Sequence, residues 1–332
     1  GTLVAARESR DGHSRGAGAD AQFGRGRASR LNLVAFRSQH RDAQGVEREG
    51  PMMGAFFQHE GRHLTGSLFA ARIDPDFRTD VGFLQRVDQQ IGSTNGGYRW
   101  WPESWIINWG PSLRYRVSYT HAGVREDEEV DVGLNMSFTR NVNVTANAIQ
   151  AHERFGGIDF DRRNYSLSTF VSTSRLFSLG GSLRWGDEIY YVDRENPYLG
   201  RGHSATLSAT IRPAPRFTSQ LNLVTSRFFD VRGGGDRQVF DVRVLRALST
   251  FTFTDRLLLR NITEFDSFRG TRGTNLLLTY RINALTVFYF GYDDHFRQED
   301  ALDVHDPRYF EPTAFRRTNR ALFTKLRVLF RY

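Results

Sequence analysis

Apolar and polar residues alternate one by one through much of this chain. Val130, Val132, Leu134, Met136 and Phe138 alternate with Asp131, Gly133, Asn135, Ser137 and Thr139; past Arg140-Asn141, Val142, Val144, Ala146 and Ala148 alternate with Asn143, Thr145 and Asn147. A period of two sends successive side chains to opposite faces, so this stretch predicts a hairpin with one oily and one polar face. The pattern returns with Leu113, Tyr115, Val117 and Tyr119 against Ser112, Arg114, Arg116 and Ser118, and with Ala205, Leu207, Ala209 and Ile211 against Ser204, Thr206, Ser208 and Thr210. It recurs with Phe217, Leu221 and Leu223 against Thr218, Gln220 and Asn222, and with Leu276, Leu278, Tyr280 and Ile282 against Asn275, Thr279 and Arg281. In the final stretch Leu322, Thr324, Leu326, Val328, Phe330 and Tyr332 share one face. Lys325, Arg327 and Arg331 share the other with Phe323 and Leu329.

Short turns are expected near 25–29, 59–62, 139–142, 173–177, 212–216, 252–255 and 282–285. Longer polar loops are expected between them, among them 73–84, 154–162, 188–200, 228–236, 266–273 and 292–318. Alternating short and long connections put all turns at one rim of an up-and-down sheet and all loops at the other. The fold predicted is therefore all-β: a transmembrane antiparallel up-and-down β-barrel of about 16–18 strands in the outer membrane of a Gram-negative bacterium. Leu326, Val328, Phe330 and Tyr332 belong to its closing strand, with Tyr332 at the periplasmic rim. Residues 1–332 read as a single barrel domain. Its abrupt start at Thr2–Ala6, in mid-strand and with no signal-peptide core, reads as a fragment lacking earlier strands.

Three stretches fit poorly. Alternation is weak over 81–110; Arg246 shares a face with Phe240, Val242 and Val244; and Leu258 and Ile262 share one with Arg260 and Glu264. The chain has no run of eighteen apolar residues, which excludes a helical membrane protein. It has no cysteine, compatible with export. The net charge of +8 is scattered along the chain instead of gathered in a tail or patch, which argues against nucleic acid as a partner. Lys325 is the sole lysine, so the positive charge is essentially all arginine, whose planar guanidinium suits carboxylates and phosphates.

With the oily faces outward, Arg114, Arg116, Arg184, Arg243, Arg281, Lys325, Arg327 and Arg331 point into the lumen with Asp131, Asp241 and Glu264. Such an excess of cations favours anionic solutes in an open pore; a filled interior in which the same arginines pair with carboxylates is the alternative. Tyr98, Trp100, Trp101, Trp105 and Trp109 form either a membrane-interface girdle or a platform for stacking sugars. Acidic loop residues such as Asp74, Asp76, Asp159 and Asp161 lack the spacing of a calcium loop. Asp74-Pro75-Asp76 and Asp303-Val304-His305 together offer the elements of a water-activating site, the basis for an alternative reading as a membrane-anchored hydrolase. The chain carries no nucleophile elbow, zinc-binding histidine pair or phosphate-cradling loop, so no catalytic residue, metal or cofactor is assigned.

Ile73 to Asp88 (IDPDFRTDVGFLQRVD), Tyr98 to Pro102 (YRWWP), Thr286 to Asp293 (TVFYFGYD) and Phe323 to Tyr332 give the chain a family resemblance. It resembles the C-terminal outer-membrane barrel domain of large, uncharacterised Gram-negative surface proteins that carry an upstream carbohydrate-binding module related to family nine. The resemblance implies a porin-like pore or the membrane part of a surface glycan-binding and uptake protein, with a plugged anchor or adhesin as a further alternative. The partners implied are outer-membrane lipid and lipopolysaccharide, the barrel-assembly machinery, and glycans or anionic solutes.

Overall fold

The computed structural model describes residues 1–10, 12–79, 86–193, 195–298 and 315–330. Eighteen strands form one sheet, and no helix occurs among the described residues. The chain divides into two compact units, residues 1–136, 146–164 and 191–197 in the first and 137–145, 165–190 and 198–332 in the second. The division falls inside strands at 136–137, 145–146 and 164–165 and at strand ends at 190–191 and 197–198.

In the first unit β1 (Thr2–Glu8), β2 (His13–Arg25), β3 (Ser29–Arg41), β4 (Glu47–Glu60), β5 (Leu64–Ile73), β6 (Gln89–Tyr98) and β7 (Ile106–Tyr119) pair antiparallel, each with the next. Three strands cross the division between units: β8 (Arg125–Phe138), β9 (Val142–Phe155) and β10 (Ile158–Val171). In the second unit β11 (Phe177–Tyr190), β12 (Tyr198–Ala214), β13 (Phe217–Asp230), β14 (Arg237–Thr254), β15 (Leu257–Asp266), β16 (Thr271–Arg281), β17 (Thr286–Gln298) and β18 (Phe315–Val328) again pair consecutively. This is the up-and-down topology of a β-barrel wall, and the strand count meets the expectation.

Residues directly opposite across an antiparallel ladder share a face. In the second unit Phe217, Phe251, Leu259, Leu278, Phe290 and Thr324 make one continuous rung across β13 to β18. On the other face Ser208, Asn222, Arg246, Glu264, Gly273, His295 and Asn319 make another, from β12 to β18. The first unit is sorted in the same way, with Leu31, Phe57 and Leu68 on one rung and Ser93 and Arg116 on an opposite-facing one. The apolar face is bare: Leu68, Leu113, Leu207, Leu245, Phe290 and Leu326 are all exposed.

The tight turn predicted at Arg140-Asn141 is present, both residues having positive φ, as a two-residue hairpin turn of the right twist demands. Two predicted long loops are short. Only Gly156 and Gly157, both at positive φ, separate β9 from β10, and four residues, 267–270, separate β15 from β16. The polar residues flanking them sit instead on strand ends that run beyond the expected limits. In the first unit the long connection after β5 follows an odd-numbered strand, and in the second the two-residue turns at 215–216 and 255–256 follow even-numbered ones.

Candidate functional site: the polar face and its rim

The polar face is rich in arginine. In the second unit Arg184, Arg246, Arg260, Arg281, Lys325 and Arg327 lie on it, with Glu188, Asp230, Glu264, Asp266 and Asp293 among its in-sheet carboxylates. Arg246 and Glu264, opposite one another, pair at 2.7 Å. In the first unit Arg114 lies 3.5 Å from the buried Asp131 carboxylate, and Arg116 faces Ser93. Among the described residues no carboxylate lies within ion-pair distance of Arg116, Arg184, Arg281, Lys325 or Arg327. Arg260 was visible in the sequence as a misfit charge between Leu258 and Ile262; only the register shows that these apolar residues lie on the polar face with it.

Asp241 and Arg243 are placed differently from the expectation. Opposite Arg227 and Thr225, they lie on the face that carries Leu245, Ala247 and Phe251. The reason is that β14 is apolar on both sides: Phe240, Val242 and Val244 look like the oily face, and only pairing with β13 and β15 reveals the reverse. Arg331 and Tyr332 lie outside the described residues, as do Asp303 and His305 of the proposed hydrolytic site. Phe330 is exposed, as are Leu326 and Val328.

The connection after β5 folds against the polar face of the first unit. Phe77 is only 3% exposed and meets Phe36 edge-on with ring centroids 6.1 Å apart. The Arg78 amide donates to Ser38 Oγ at 3.0 Å, and Asp74 N donates to the Pro51 carbonyl at 3.1 Å. Gly16, Ser38 and Gly50 form one polar-face rung beneath it. Gly50 lacks a side chain where one would strike Asp74 and the Phe77 amide, so close approach of the loop requires glycine. Asp74 Oδ1 accepts from the Asp76 amide at 3.0 Å, a turn role for half of the Asp-Pro-Asp motif. Farther along, Asp88 Oδ1 accepts from the His121 amide at 2.8 Å and lies 2.9 Å from its ring; these bonds hold the Asp88 carboxyl below its ordinary range.

At the loop end of the second unit, three carboxylates, Asp230 and Asp294 buried and Asp241 nearly so, each gather two arginines. Asp230 takes a bidentate pair from Arg232 at 3.0 Å and a bond from Arg237 at 3.3 Å. Arg232 also lies 3.4 Å over the Tyr198 ring, which adjoins Tyr190 and Phe228. The Arg232 guanidinium, helped by its amide, holds the Asp230 carboxyl far below the usual carboxylate range against the opposing effect of desolvation. Asp241 is bonded by Arg243 at 2.6 Å and Arg227 at 3.2 Å. Asp294 is bonded by Tyr292 at 2.7 Å and Arg317 at 2.9 Å, with Arg320 at 3.6 Å.

The aromatic cluster sits at the short-turn end of the first unit. Tyr98 and Trp100 are 4.8 Å apart and Trp100 stacks on Trp109 at 4.5 Å; Trp101 donates its indole N–H to the Arg62 carbonyl, and Trp105 is exposed. Tyr98 is opposite Leu64, on the apolar face. Asp159 and Asp161 flank His152 at 3.7 and 3.0 Å, and Asp159 also bonds Arg154. No histidine and carboxylate group among the described residues has the arrangement of a metal site. A shallow hollow of about 590 Å³ on the apolar face of the first unit comes from small side chains, Ala55, Ala70 and Gly92, between Leu33, Met53 and Tyr119.

No protein-family model matches the sequence, and no curated protein does. Among solved structures, the chain is similar to the siderophore receptor PirA from Acinetobacter baumannii, at 8% identity and a TM-score of 0.49 over 95% of this chain and 64% of that one. A mutant of the ferric enterobactin receptor PfeA from Pseudomonas aeruginosa matches at 9% identity and a TM-score of 0.48, over 95% and 61%. The chain thus spans less than two thirds of either receptor. At these values the similarity adds nothing to what the strand registers establish.

Proposed function

We propose that this chain is the membrane-embedded barrel part of a Gram-negative outer-membrane protein, and that its polar face lines a water-filled path favouring anionic solutes. The observation that carries the proposal is the sorting of one sheet into two media. Leucine and phenylalanine rungs stand bare on one face, where water would penalise them, while unpaired arginines occupy the other, where lipid would. In-strand cations outnumber in-strand carboxylates on the polar face of the second unit, which supplies the anion preference. Tyr98, Trp100 and Trp109 then serve as an interfacial girdle, since they meet the apolar face at its short-turn end.

Planar-bilayer recording of the detergent-refolded protein tests this. The expected result is channel activity whose reversal potential in a salt gradient shifts toward the anion, with the shift reduced in the Arg184→Gln/Arg281→Gln variant. A cation-selective channel would overturn the solute assignment. A second reading is favoured by Phe77 and Arg78: the 74–79 segment lies on the polar face and closes the path, leaving an anchor. Absence of conductance from protein shown to be folded would support it.

A further inference from the structure

In the second unit the apolar face carries its charge at the loop end, and from β13 to β18 the arginines there outnumber the carboxylates. Arg227, Asp241 and Arg243 occupy adjoining rungs of β13 and β14 on this face. The neighbouring rung runs from Leu223 through Leu245, Phe265, Arg272 and Phe296 to Arg317, and the next ends in Asp294 opposite Arg320. The arginines therefore form a belt crossing six strands, directly above the leucine and phenylalanine rungs.

Each carboxylate in this belt serves two arginines. The Asp241 side chain is 11% exposed, those of Arg227 and Arg243 48% and 54%; for Asp294 the figure is 9%, against 45% and 53% for Arg317 and Arg320. Arginine stays charged at any physiological pH, so each triad keeps one positive charge in excess, and its buried aspartate fixes the guanidinium planes while their outer edges stay open. Arg272, 5.0 Å over the Phe315 ring, adds another cation between the triads. A pairing role alone does not require this stoichiometry. On the apolar face of the first unit Arg15 pairs with Glu8 at 2.6 Å and Arg37 with Glu49 at 2.5 Å, one to one.

We propose that the two triads bind phosphomonoester groups of membrane lipid headgroups. Guanidinium forks match phosphate oxygens, and a phosphate at the edge of the hydrocarbon offsets the excess charge where desolvation makes it costly. The proposal rests on the membrane reading above, and it assigns the lipid source because the belt lies on the face given to lipid and not on the one given to solutes.

The test uses detergent-refolded full chain whose folding is first verified by its altered gel migration before boiling, which checks the membrane reading separately. Binding of diphosphoryl lipid A, of the same lipid with its phosphates removed, and of inorganic phosphate is measured by native mass spectrometry and tryptophan fluorescence titration. The expected result is at least tenfold tighter binding of the phosphorylated lipid than of the dephosphorylated one, lost in Arg243→Gln/Arg320→Gln and kept in Arg256→Gln, a turn arginine at the opposite end of the unit. Equal binding of the two lipids would overturn the proposal, as would inorganic phosphate binding as tightly as the phosphorylated lipid. If the double variant fails to fold, Arg243→Lys/Arg320→Lys, which keeps the charge and loses the fork, is expected to fold and bind at least threefold more weakly; unchanged affinity would count against the site.

Discussion

Gly291 shows how strongly single positions are determined. It lies on the polar face opposite Phe323, and a β-carbon there would overlap the Phe323 ring. The aromatic fills the space the glycine leaves, so Gly291→Val is expected to cost about 1–3 kcal/mol through overpacking. The folded fraction on unboiled gels over a urea series measures the loss, and Phe323→Ala in the same chain should recover part of it. At Asp230 the decisive property is charge. Its carboxyl is depressed by Arg232 and Arg237, so the stability it contributes is complete above the ordinary carboxylate range, near pH 4, and is lost only as pH falls through its lower folded value. Protection of residues 231–236 from hydrogen exchange, corrected for intrinsic rates, should stay level from pH 8 to pH 5. Asp230→Asn at neutral pH should lower it about tenfold or more.

At the level of elements, alternation predicted the strands well and their facing less well. The 130–148 hairpin was legible because one face is uniformly apolar and Arg140-Asn141 suits positive φ. Strand β14 was not, because both its faces carry valine, leucine or phenylalanine and the choice falls to its neighbours. The loop ends were misjudged for a related reason: rim residues such as Asp159, Asp161 and Arg272 are polar but remain in strands, so polarity there does not mark the end of a strand. Nor could the sequence show that the connection after β5 returns to the polar face, since that depends on Phe77 finding Phe36 across the fold. Phe77→Ala should loosen this segment. If the segment narrows the path, single-channel conductance is expected to rise by half or more with little change in anion preference; unchanged conductance would place it away from the path.

For the whole molecule, eighteen up-and-down strands with two unlike faces explain why so much leucine and phenylalanine is exposed. Strand length adds a consequence. Crossing the hydrocarbon takes about 9–11 residues of a tilted strand, yet β12 has 17 and β14 has 18. At roughly 3.3 Å per residue, β14 is about 60 Å long, so under the proposed membrane placement a substantial part of it stands clear of the lipid as a stiff collar. The rim chemistry is thereby mounted on hydrogen-bonded masonry, and a loop tip such as 233–235, which makes no side-chain contact, is free to vary in length and sequence while the arginines beneath hold their positions.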